Sequence, residues 1–134
     1  MRKIAYPRFD ILRTFDELCA GICPNRFVTT RPNAVGEQMQ EFLLLRLPQP
    51  MRDQGDTYQT TYGQIVVFVR DVQGMENTYR LEQLQSQVMD LFPICNDLFH
   101  AKRPLLLASS SDGAGFHSLT IQFNITIFKT SKTI

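Results

Sequence analysis

The chain contains no tryptophan, only two histidines and only three cysteines among its 134 residues, and neither sign of charge predominates. Each shortage removes a class of function. Fourteen basic residues against thirteen acidic ones leave a formal charge of +1. Binding to nucleic acid or to an anionic membrane draws on a concentrated basic face, and near-neutrality supplies no such driving force. The short cluster His100-Ala101-Lys102-Arg103 does not alter that reading. Three cysteines are an odd number, which fits a reducing cytoplasm better than a secreted disulfide framework. Long apolar runs are absent too, so the sequence offers no stretch of the roughly 20 residues that a membrane-spanning helix needs. Met1-Arg2-Lys3 resembles the start of a signal peptide, but Pro7, Arg8 and Asp10 interrupt the apolar core that would have to follow.

The cysteines and histidines do not have metal-site spacing. Cys19 and Cys23 are four apart, while Cys95, His100 and His117 are scattered; a closed zinc site needs about four ligands. Helical neighbours four apart also sit beyond disulfide reach at Cβ. Free, metal-free thiols are expected, with no cofactor. Ser109, Ser110 and Ser111 with Asp112 and His117 contain the letters of a catalytic triad. A nucleophile needs a base in contact and a third group to hold that base, and these serines read as part of a turn. Gly113-Ala114-Gly115 is followed by a strand, so it lacks the helix N-terminus of a phosphate cradle. The acids are spread along the chain without an evident pair. No catalytic residue is assigned, and the chain is read as a non-enzyme.

What is present is ordinary globular material: 43% hydrophobic and 20% charged residues, in a length suited to one domain, residues 1–134. Ile11, Phe15, Leu18 and Ile22, with Leu12 and Cys19 beside them, form the apolar stripe of a helix from about Pro7 to Ala20. Phe27 to Thr30 is a short β-prone run. Glu41 to Leu47 reads as a strand apolar on both parities. Pro48 to Asp56 holds two prolines and a glycine, and is expected to be a polar, mobile connection marked by Pro48, Arg52 and Asp56. Thr57 to Tyr62 is β-compatible, and Gln64 to Asp71 is the best central strand. Leu81, Leu84, Val88 and Leu91 then mark a second helix, capped by Asn77 or Thr78 and stopped by Pro93. Pro104 to Ser109 is a short strand, Ser110 to Gly115 a turn, and His117 to Phe128 a cleanly alternating strand. The expected class is α+β: two helices and an antiparallel or mixed sheet of four to five strands, in the order α-β-β-β-α-β-β.

Two helices can cover one face of such a sheet, yet the strands from Glu41 and from Gln64 are apolar on both sides. Phe42, Leu44, Val66 and Phe68 carry the second parity. Either the helices and the long loop wrap both faces, with one helix on each, or a partner chain covers the remainder. On the partner arrangement these four residues are candidates for self-association.

The early helix Asp10 to Ala20, the strand Glu41 to Leu47 with its polar excursion, the strand and helix from Gly63 to Leu91, and the closing strand to Phe128 together resemble phage tail terminator and tail-completion proteins. The resemblance is one of pattern over most of the chain and carries no functional residue across. It implies a prophage-derived structural protein that forms a homo-oligomeric ring at the tail end, beside other tail or head-connector proteins. Its location would be the cytoplasm during assembly and then the virion. The alternative is a cytoplasmic module that binds a peptide or small molecule.

Overall fold

The computed structural model describes residues 7–33, 35–48, 52–53 and 58–128, with 52, 53 and 128 described through their backbone. The elements are α1 (Arg8–Cys19), β1 (Arg26–Val28), β2 (Glu41–Arg46), β3 (Arg52–Asp53), β4 (Tyr58–Arg70), α2 (Thr78–Met89), β5 (Ile94–Cys95), β6 (His100–Ser111) and β7 (Phe116–Phe128). They form an α+β fold around one mixed sheet of seven strands, in the order β1-β2-β4-β7-β6-β5 with β3 beside β4. Only β1 runs parallel to its neighbour; the other pairings are antiparallel.

Both helices lie on one face. α1 rests over β1 and β2, and α2 over β4 and β7. The α1 stripe is centred slightly away from the expected line: Ile11, Leu12, Phe15 and Cys19 are buried, while Leu18 falls at the margin and is exposed. α2 buries Leu81, Leu84 and Val88. Its first turn is capped by the Asn77 side chain, which accepts from the Arg80 N–H at 3.3 Å. Arg80 also grips the Glu41 carboxylate with two nitrogens, at 2.7 and 2.6 Å, and so ties the helix to β2. Beneath the helices lie Leu43, Leu45, Ile65, Val67, Val69, Ile121, Phe123, Ile125 and Ile127, which follows the alternation in the sequence.

The strand count exceeds the expected four to five for identifiable reasons. The run from Thr57 and the run from Gln64 are one strand, because Gly63 does not break it. A Cβ on Gly63 would lie 2.7 Å from Cε2 of Phe123, so glycine admits that ring over the strand rather than ending it. β3 arises within the segment expected to be a loop. Arg52 and Asp53 sit between Pro50 and Gly55 and pair with Thr60 and Gln59 at an edge of β4, where two residues free of proline suffice. Gln49, Pro50, Met51 and residues 54–57, including Asp56, lie outside the described residues. β6 is twice the expected length, since His100, Ala101 and Lys102 at one end and Ser110 and Ser111 at the other also pair with β7. The turn contracts to Asp112–Gly115, where Gly113 and Gly115 take φ of 74° and 94°.

Candidate self-association edge

Antiparallel partners share a face, so the register fixes which residues line each side of the sheet. On the face away from the helices, one row runs Phe42, Phe68, Ser118, Ser110; the next runs Leu44, Val66, Thr120, Leu107; a third runs Arg46, Gln64, Gln122, Leu105. The face is therefore apolar over β2 and β4, polar over β7, and apolar again at β6. In the third row Arg46 donates to Gln64 at 2.7 Å and Gln64 donates to Gln122 at 2.9 Å, a hydrogen-bonded ladder across three strands.

The apolar half of this face is closed within the chain, so Phe42, Leu44, Val66 and Phe68 are not bare for a partner, and among the described residues what closes it is neither a helix nor the segment from Pro48. All four are buried and, with Phe116, form a second core packed by Phe27, Val35 and Met39. The cover is the irregular stretch between β1 and β2. Arg31 lays its guanidinium 5.2 Å from the Phe42 ring centre and 4.8 Å from that of Phe68, and donates to Asp112 at 2.7 Å. Arg70 stacks on Phe116 and donates to the Gly36 and Met39 carbonyls. Nothing in the local pattern around Arg31 marks it; only the fold shows that a cation can lid two stacked rings.

The opposite end of the sheet is different. β5 pairs with β6 only at Ile94–Ala101 and Cys95–His100, so among the described residues Pro104 through Ser111 have no strand on their outer side. Leu105, Leu106 and Leu107 are 56%, 41% and 36% exposed there. The first part of β6 carries the usual protections of an edge: exposed Lys102 and Arg103, Pro104, and a register irregularity between Lys102 and Leu105. Leu105 through Ser111 contain neither charge nor proline, and their one such protection is a second register irregularity between Leu107 and Ser110. The sequence marks Leu105–Leu107 as a strand, but which strand lies at an edge is not written in local pattern.

The polar groups nearby do not assemble the suggested triad. Asp112 serves Arg31 and accepts from the Ala114 and Phe116 N–H groups. His117 pairs instead with Asp71, its Nδ1 2.6 Å from Oδ1. Ser111 Oγ accepts from the Gly113 N–H, and Ser109 donates to Glu76 at 2.7 Å. Those two serines are thus engaged by a backbone amide and by a carboxylate. Hydrogen bonds from Thr78 and Ser109 hold the Glu76 carboxyl below its ordinary range, so it is charged at neutral pH. Among the described residues no group of three or more His, Cys, Asp or Glu is placed to hold a metal, and no helix is long and apolar enough to cross a membrane. Cys19, Cys23 and Cys95 are free thiols, and burial pushes Cys19 up to about 12.

No protein-family model and no curated protein matches the chain.

Proposed function

We propose that this chain is a non-enzymatic assembly protein that associates with copies of itself by extending its sheet along β6. The observation that carries the reading is the run Leu105–Ser111, which among the described residues has no strand on its outer side and carries exposed leucines. Extended edges of that kind add a strand from another chain, with main-chain hydrogen bonds giving affinity. The pattern resemblance to tail terminators points the same way, toward a structural component of a phage or prophage particle, with a ring as the assembly it implies. A peptide-binding module would use the same edge, so self-association is the discriminating property.

The test is the solution mass of the purified chain, measured by sedimentation across a wide concentration range. Mass should rise above that of one copy as concentration rises, and Leu106→Lys should hold the folded chain monomeric. A wild-type chain that stays monomeric throughout overturns the reading.

A further inference from the structure

Resting on that self-association reading, we propose that two copies join β6 to β6, antiparallel, about a two-fold axis at Leu106, with Arg103 of each facing the partner's Glu76. The product is one continuous sheet with all four helices on the same side.

The two edges of the sheet are unequal. β1, at the far end, has three residues, whereas β6 is open among the described residues from Pro104 through Ser111. Pairing the long edge with itself forms more backbone hydrogen bonds than laying β6 against β1. A two-fold contact also closes at two copies, which leaves neither long edge exposed. Any larger ring then needs a second, separate contact.

The side chains set the register. With the axis at Leu106, Leu105 lies opposite the partner's Leu107, and the irregularities of β6 between Lys102 and Leu105 and between Leu107 and Ser110 fall opposite one another, which brings Pro104 and Arg103, the latter at φ 61°, beside the partner's Ala108 and Ser109. Moving the axis to Leu107 places Leu105 against a serine and Leu106 against alanine. Moving it to Leu105 places Arg103 against Leu107 and Leu106 against Pro104. The axis at Leu106 sets leucine against leucine and puts proline, which has no N–H to give, toward the end of the paired window.

Charge selects the same arrangement. Lys102 and Arg103 are exposed, and neither has an ion pair among the described residues. At the other end of the edge Glu76 is held beside Ser109 by a 2.7 Å hydrogen bond, with Thr78 fixing its second oxygen at 2.6 Å. The two-fold therefore brings this fixed anion toward the partner's Arg103, once on each side of the axis. Next to Glu76, Met75 is 71% exposed, and nearby Tyr79 on α2 is 73% exposed. Strand pairing alone gives little contact, and these side chains supply apolar area toward the roughly 1,000 Å² of a stable interface.

Two measurements test the arrangement. In a Cys95→Ser background, Leu106→Cys places the new thiol opposite its own copy, at a Cα separation of about 4.5–5.5 Å, within disulfide geometry. Leu105→Cys lies on a diagonal of roughly 7–8 Å and serves as the control. Oxidation should give a covalent dimer in high yield from Leu106→Cys and little from Leu105→Cys. Arg103→Glu alone and Glu76→Arg alone should each weaken self-association by about tenfold or more through like-charge contact, and the double exchange should restore most of it. Circular dichroism checks that each variant is folded. If the chain associates but Leu106→Cys does not cross-link preferentially, or the charge exchange fails to restore binding, this register is wrong while the self-association reading stands. If the chain does not associate at all, both fall.

Discussion

Arg31 and Asp112 show how one pair of side chains decides the fate of a whole face. Burial by itself raises the Asp112 carboxyl, but the Arg31 hydrogen bond and the Ala114 and Phe116 N–H groups outweigh it, and the net shift is downward from the ordinary 3.8. A carboxyl held low in the folded state contributes stability that is fully present above its unfolded value. That stability is lost as pH falls through the lower, folded value. Asp112→Asn should therefore cost about 1.5–3 kcal/mol at neutral pH, the range for hydrogen bonds to charged groups. The difference between the variant and wild type in urea unfolding should shrink as pH is taken below about 4, the ordinary aspartate range. A difference that stays constant with pH would show that the Arg31–Asp112 pair does not fasten the cover.

The elements divide by how much of their environment is local. α2 was legible except for its end: Leu81, Leu84 and Val88 repeat at helical spacing and Asn77 supplies the cap, but Leu91, expected on the same stripe, lies beyond the helix, which stops at Met89. β7 was equally plain, since its alternation matches a sheet with one greasy and one polar face. β4 was read as two pieces because glycine weakens a strand on its own terms; the ring of Phe123, contributed by a strand far along the chain, is what makes Gly63 necessary. Gly63→Ala puts a methyl within 2.8 Å of two atoms of that ring. It should destabilise the protein by about 1–3 kcal/mol, the usual range for overpacking. Thermal unfolding reads the loss directly, and a neutral result would mean that Phe123 can move aside at no cost.

At the scale of the whole molecule, the sheet is served by two covers of different kinds: a pair of helices on one side and an irregular stretch on the other. Phe42 and Phe68 stack at 4.5 Å under the second cover, with Phe116 edge-on to Phe42 at 5.3 Å. Phe42→Glu combined with Phe68→Glu would bury two carboxylates side by side among aromatic rings, beside a single cation, Arg31, that already serves Asp112. The double variant should be unfolded by circular dichroism. A folded monomer from this variant would instead mean that the face belongs to an interface between copies. Leu106→Lys, by contrast, alters an exposed edge and should leave folding intact.

Sequence alone determined the α+β class, both helices, the parity of β2, β4 and β7, and the conclusion that one helical layer could not cover every apolar residue. These follow from periodicity, capping and proline or glycine punctuation, which act over a few residues. It left open what covers Phe42, Leu44, Val66 and Phe68. Tertiary structure decided that, by folding the stretch after β1 back over them and joining Arg31 to an aspartate 81 positions away. It also decided that β6 is an edge. Whether a strand has one neighbour or two depends on where every other strand has paired, and that information is distributed over the whole chain.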